Sequence, residues 1–291
     1  MERYTFVKDY KTNDELRAKF NELATNTFEI DFEPWYKLGF WNDRYICYSY
    51  FHGDKIVSNV SVNIIDTIVA GENIRTVQIG TVMTHPDYRK KGLASRLMEK
   101  VFSNYENEVD LFCLFCAEEN FNFYMKHGFT AVQESKFTVK VNPLQTENHL
   151  RKLLLKNEVD KKLLIDAYTN KVSSHEFDIE NAEHVLGFYG VLAFGNDLYF
   201  SEKLNTAVIF KVDGEKLHLY AVLSEEKLLF NDLINEIASE DVSEVVFHFT
   251  PDFEDIQPHI TDLITSDDVF HIRTSNVKLP QNFKFPLIAH A

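Results

Sequence analysis

One stretch constrains the fold more than any other: Thr81-Val-Met-Thr-His-Pro-Asp-Tyr-Arg-Lys-Lys-Gly-Leu-Ala-Ser95. It reads as a strand stopped before Pro86, a basic loop containing a glycine, and the start of a helix. Beyond it, Leu93, Ala94, Leu97, Met98, Val101 and Phe102 recur as adjacent pairs every four residues. That spacing draws one apolar stripe along the helix, which must pack on a sheet. The helix start is chemically active, because its first N–H groups lack partners and the helix dipole is positive there. Arg89-Lys90-Lys91 is the only run of three basic residues in the chain. Gly92 lets the backbone approach a ligand closely, and Ala94 keeps the next turn narrow. These features describe an anion cradle suited to a pyrophosphate. A solvated basic helix start is the plainer alternative.

That basic loop stands out because the chain is acidic. It has 291 residues with 30 Lys and Arg against 45 Asp and Glu, a formal charge of −15. Such a balance excludes a general nucleic-acid or anionic-membrane surface, since both need a positive field. The length suits one large domain or two ordinary ones. Hydrophobic residues at 45% and charged residues at 26% are ordinary globular usage. No apolar run approaches the ~18 residues of a membrane span, and the polar start MERYTFVKDYKTND lacks a signal-peptide core. A cytoplasmic protein is expected. Cys113 and Cys116 form a C-x-x-C within a Phe- and Leu-rich run that reads as a buried strand. Positions three apart on a strand face opposite ways, and no second Cys/His pair stands at zinc spacing. Core cysteines and no metal are expected.

Around this centre the pattern reads as a strand over 3–8, a helix over 14–28 and an aromatic segment from Phe32 to Trp41. Three antiparallel strands follow at 44–50, 55–65 and 74–83. After the helix come a buried strand at 110–117, a short helix stopped by Gly128, and a closing strand from Phe129 to Val141. A polar link follows Asn142-Pro143. The second half reads as a charged helical region from Glu147 to Tyr168 and a helix from Asn181 to Phe194. Strands at 197–201, 205–213 and 216–223, a helix from Lys227 to Ala238 and a strand from Val242 to Phe249 complete it. The tail from Pro251 carries no readable chemical signal. Two domains are expected, 1–143 and 150–291, with β-β-β-α-β order in the second repeating that of the first.

Two motifs then coincide. Arg89-Lys90-Lys91-Gly92-Leu93-Ala94 fits Q/R-x-x-G-x-G/A, and Phe123-Tyr124-Met125-Lys126-His127-Gly128-Phe129 fits F-Y-x-x-x-G-F. In this order, separated by one helix and one strand, they resemble the GNAT superfamily of acyl-CoA-dependent N-acyltransferases. The resemblance covers residues 3–141. It implies an α/β (α+β) GNAT fold, a mixed and mostly antiparallel sheet flanked by helices, with acetyl-CoA as co-substrate. It further implies that the backbone of Val82 and Thr84 pairs with the pantetheine arm. The loop of Arg89, Lys90, Lys91, Gly92, Leu93, Ala94 and Ser95 would bind the pyrophosphate. A backbone amide of Val82 or Met83 would polarise the thioester carbonyl. Tyr124 would stand near the sulfur and assist the departing thiolate, as acid or as hydrogen-bond donor. The second helix is short where relatives carry an Asn, leaving Asn120 as the residue in question.

The base is not fixed by these motifs. Gln78 sits where many relatives keep a glutamate, and an amide cannot take the proton. Glu29, Asp31, Glu33, Glu118, His85 and water are the alternatives. Glu29 and Asp31, beside Trp35 and its aromatic neighbours, would suit a cationic amine with an apolar body; ordinary core is the other reading of those aromatics. The acceptor would be a small-molecule amine or a peptide amine. The competing reading is a non-catalytic acyl-CoA-binding regulatory module. Oligomeric state is not encoded in any of these features. The degenerate second half, with Glu225 and Glu226 at its helix start, should bind no CoA of its own.

Overall fold

The computed structural model describes residues 4–144 and 150–291. Its first half opens with β1 (Thr5–Lys8), α1 (Asp14–Phe28) and the short α2 (Glu33–Lys37). Asn13 caps α1 through a 3.1 Å bond from the Leu16 N–H, and the helix buries Phe20, Leu23 and Ala24. Then come β2 (Tyr45–His52), β3 (Lys55–Val69) and β4 (Glu72–Thr84). The long β3–β4 hairpin turns at Ala70-Gly71, both at positive φ. Next are α3 (Leu93–Tyr105), β5 (Leu111–Cys116) and α4 (Phe121–Met125). Strands β4 and β5 run parallel, so the chain must cross over between them, and α3 is that crossover. It buries Leu93, Leu97, Met98, Val101 and Phe102, the stripe expected from its spacing.

Past α4 lie β6 (Thr130–Ala131), β7 (Ser135–Lys140), β8 (Leu150–Lys152), α5 (Glu158–Thr169), β9 (Phe177–Glu180) and α6 (Glu183–Leu192). The remainder holds β10 (Leu198–Ser201), β11 (Thr206–Asp213), β12 (Lys216–Ser224), α7 (Phe230–Ile237), β13 (Glu244–Phe247), β14 (His259–Asp262) and β15 (Val269–Arg273).

Two sheets result, ordered β1-β2-β3-β4-β5-β15-β6, with β9 also on β3, and β8-β10-β11-β12-β13-β7-β14. Both have one parallel pair beside antiparallel neighbours, and in both a helix links that pair. Each sheet also borrows a strand from the other half of the chain. β15 lies beside β5 in the first sheet, and β7 lies beside β13 in the second. The closing strand expected over Phe129–Val141 is therefore corrected: it divides into β6 and β7, which belong to different sheets. The break is fixed by Glu134, whose buried carboxylate accepts from the Lys284 ammonium at 2.9 Å and the Phe285 N–H at 2.8 Å. Alternation identifies a strand but not its partner.

The helical region expected from Glu147 lies partly outside the described residues; within them, β8 and α5 occupy that stretch. An aromatic cluster joins the halves. Trp35 donates from its indole to the His184 carbonyl of α6 at 2.7 Å, and Trp41 stacks on Trp35 at 5.4 Å. Gly187 of α6 is tight against this cluster, since a Cβ there would fall 2.1 Å from the Phe40 ring. Such aromatic pairs are each worth roughly 0.5–1.5 kcal/mol beyond area burial. Among the described residues, no helix is long and apolar enough to cross a membrane.

Candidate active site

The site begins where two parallel strands part. Strands β4 and β5 pair from Thr76/Leu111 to Ile79/Leu114, yet β4 continues to Thr84 and β5 to Cys116. Just at the parting, β4 bulges: Asn59 and Ser61 of β3 pair with Met83 and Gly80, so three steps of β4 face two of β3. Thr81 lies in the bulge at φ 48, a left-handed conformation that a β-branched residue adopts only under constraint. The constraint is visible. Asn59 donates to the Thr81 carbonyl at 2.9 Å, and the hydroxyls of Tyr45 and Thr81 are 2.9 Å apart.

A cavity of about 380 Å³ fills the opening. Gly80, Thr81 and Val82 line one side, and Phe115, Cys116 and Ala117 the other. Tyr124 and Asn120 approach from α4 and the turn before it. The opposite wall is aromatic: Phe28, Phe32, Trp35 and Tyr45 from the first half, Phe188 and Tyr189 from α6. None of the residues lining this cavity is Asp or Glu. Glu29 and Asp31 stand outside the lining. Glu29 is the exposed left-handed cap of α1, and the Asp31 carboxylate is taken up by the Glu33 N–H at 2.9 Å. Glu33 itself is paired with Arg17 at 2.8 Å, which holds its carboxyl below the ordinary range.

Tyr124 is 7% exposed. Burial, with Cys116 beside it, pushes its hydroxyl well above the ordinary phenol range, so at neutral pH it is an O–H donor. Met83 is buried in the core while Val82 faces the cavity. Gln78 is fully buried, and neither polar atom of its amide has a partner among the described residues. Cys113 and Cys116 fall in different core clusters, on opposite faces of β5 as strand geometry requires. Burial raises both thiols, Cys116 to about 11. Among the described residues no group of three or more His, Cys, Asp or Glu could hold a metal.

At the far end of β4 the chain makes a single turn at Pro86–Tyr88 and then passes through Lys90 and Gly92, at φ 62 and 72, into α3. No side chain caps α3, and its first turn holds no acidic residue. The first-turn N–H groups are thus left for a ligand. Arg89 folds back to donate to the Thr84 carbonyl at 3.2 Å, and the Lys91 ammonium lies 4.8 Å over the Tyr88 ring. Lys90 is exposed on the loop. Leu93 is buried in the helix stripe with Ala94 beside it. The Ser95 hydroxyl is 3.2 Å from the His127 ring, tying the helix start to the segment after α4.

The structure adds residues that the sequence reading passed over. His290 and Ala291 line the cavity. They arrive on a tail anchored by the fully buried rings of Phe283 and Phe285. The only sequence signal was the alternation of Phe283 and Phe285 about Lys284, which marks a packed segment without saying against what.

Residues 11–132 match the model of the acetyltransferase (GNAT) domain. No curated protein sequence matches the chain. Solved structures do. A conserved protein of unknown function from Enterococcus faecalis superposes with TM-score 0.64 at 15% identity, covering 94% of this chain and 72% of that one. GCN5-related N-acetyltransferases from Anabaena variabilis and Kribbella flavida superpose with TM-scores of 0.59 and 0.58 at 15% and 16% identity. They cover 94% of this chain, and 73% and 72% of theirs. At such identity the likeness speaks for the fold; the class rests on the domain match. Residues 11–132 thus match a GNAT acetyltransferase domain, and the chain shares its fold with GCN5-related N-acetyltransferases.

Proposed function

We propose that the chain transfers an acetyl group from acetyl-CoA to the primary amine of a small molecule with an apolar body, by direct attack, in the cytoplasm. The observation that carries this reading is the parting of β4 and β5, with Tyr124 in the opening and the uncapped start of α3 at the outer end of β4. In this reading the pyrophosphate rests on the N–H groups from Lys90 to Ser95. The pantetheine arm runs along the backbone of Val82 and Thr84. The N–H of Val82, in a bulge that re-aims the strand, faces the carbonyl oxygen as negative charge develops on it. Tyr124 donates to the departing sulfur.

The aromatic wall and the absence of Asp and Glu side chains from the lining favour a monoamine with an aromatic or aliphatic body. Several separated ammonium groups would find no acidic side chain there to pair with, whereas one amine can rest against ring faces. The test is to rank acceptors by kcat/KM, following free CoA and acetylated product. Aryl-alkyl monoamines should exceed polyamines by tenfold or more; the reverse order would reject this acceptor class. The second half we read as a degenerate GNAT-like unit that walls the acceptor side through α6, with the division between 1–143 and 150–291 crossed by the two exchanged strands.

The alternative is a module that binds acyl-CoA without turnover. Gln78, an unpartnered amide in place of a strand carboxylate, favours it. It predicts acetyl-CoA binding with no amine-dependent release of thiol.

A further inference from the structure

The cavity has one imidazole in its lining, and that imidazole comes from the tail. The Nδ1 atom of His290 is 3.3 Å from a carboxylate oxygen of Asp268. Asp268 immediately precedes β15, whose Val269 pairs with Cys116 on β5. Phe115, next on β5, places its ring 3.8 Å from the His290 ring. Two elements that meet only because β15 crosses into the first sheet thus hold one imidazole at the mouth of the parted strands. The tail behind it is fixed: the Ser135 N–H donates to the Phe283 carbonyl at 2.8 Å, and the Leu287 N–H to the His248 carbonyl at 3.0 Å. The His290 side chain keeps 16% of its surface exposed, which fits a ring facing a cavity.

We propose that His290 is the general base for the acceptor amine, taking its proton at Nε2 while Asp268 accepts the Nδ1 hydrogen and orients the ring. This rests on the acyl-transfer reading above. The step balances. An ammonium R–NH3+ gives one proton to Nε2, and the freed lone pair forms the C–N bond at the thioester carbonyl. As the C–S bond breaks, the nitrogen sheds a second proton, which ends on the sulfur through the Tyr124 hydroxyl. His290 then returns its proton to water, so amide, free thiol and one proton leave the site.

Burial, with Lys284 nearby, pulls the His290 imidazole down to about 3, so it is neutral at pH 7 and its protonation must be supported by the Asp268 carboxylate 3.3 Å from Nδ1. Burial lifts Asp268 to about 6, so at pH 7 it is largely a carboxylate, ready to balance an imidazolium. The other groups nearby are Lys284, whose charge is matched by Glu134 at 2.9 Å, and Cys116, Tyr124 and Tyr189 in the cavity lining. No Asp or Glu side chain lines the space that the amine would enter.

The test uses the full chain carrying His290→Gln, and separately Asp268→Asn. For an alkyl amine at pH 7, His290→Gln should lower kcat/KM by about 10²–10⁴-fold, with acetyl-CoA affinity and melting temperature close to wild type. An alkoxyamine or aryl amine, already uncharged at pH 7, should lose less than tenfold; a merely structural role would reduce both acceptors alike. Asp268→Asn should lower the alkyl-amine rate in the same direction and leave the uncharged amine little affected. Equal losses for charged and uncharged amines, or wild-type rates in His290→Gln, would overturn the assignment while leaving acyl transfer intact. A wild-type protein without amine-dependent thiol release would overturn both.

Discussion

A Cβ placed on Gly80 would stand 3.0 Å from the backbone carbonyl carbon of Ala291. The tail therefore lies directly on β4 where it begins to part from β5, and glycine is the residue that admits it. Gly80→Val is expected to displace the tail, because a branched side chain cannot share that space with backbone. We expect KM for the amine to rise at least tenfold while the KM for acetyl-CoA changes less than twofold. Steady-state kinetics with each substrate varied in turn checks this. Equal effects on both would mean that residue 80 serves the cofactor side instead.

Tyr124→Phe should preserve fold and acetyl-CoA affinity yet lower kcat by about 10²–10⁴-fold, the usual worth of a positioned proton donor. The ring contacts with Phe123 and Phe129 need no hydroxyl, so packing should survive. An unchanged single-turnover rate would remove Tyr124 from the chemistry.

One CoA should bind per chain, in the first half. The counterpart of the α3 start is the start of α7, and the carboxylate of Asp255 already occupies it, accepting the N–H groups of Phe230 at 2.8 Å and Asn231 at 3.0 Å. At the α3 start, Gly92→Val forces a β-branched residue into the left-handed region at φ 72, where strain is of order 1–2 kcal/mol. The loop should relax away from its ligand-ready shape and CoA affinity should fall at least tenfold. Titration calorimetry giving two sites in the wild type, or wild-type affinity in Gly92→Val, would refute this assignment.

Buried histidines should make stability fall as the pH drops below about 6.5. His184 is fully buried, neither ring nitrogen has a partner among the described residues, and burial pulls its pKa to about 3. Unfolded, it would titrate near 6.5. Between about pH 6.5 and 3 the unfolded chain therefore binds the extra proton. Stability is complete above that window and is lost on descending through it, by up to roughly 1.4 kcal/mol per pH unit for this one group. His248, also at about 3, acts in the same sense. Urea midpoints at pH 7 and pH 5 should differ clearly in the wild type and less in His184→Leu. An undiminished difference in the variant would show that His184 is not a source.

The first half could be read closely because its signals are local. The Leu93–Phe102 stripe, the Gly92 turn and the apolar spacing over 14–28 each depend on neighbours in sequence, and each stands where its pattern placed it. Strand pairing across the chain left no such mark. Nothing in Val269–Arg273 says that it will lie beside β5, and nothing in Ser135–Lys140 says that it will leave the first sheet. The acceptor side was obscured for the same reason: Phe188, Tyr189, Asp268 and His290 reach the cavity only through tertiary packing. The acidic wall expected from Glu29 and Asp31 came from proximity to Trp35 in sequence, but a helix end turned those carboxylates away.

The most direct measurement is free-thiol release from acetyl-CoA with and without an aryl-alkyl amine, paired with the mass of the amine product. The account predicts release that needs the amine, matches the acetylated product mole for mole and falls at least 100-fold in Tyr124→Phe. Saturable acetyl-CoA binding with no amine-dependent release across the acceptor panel would contradict it.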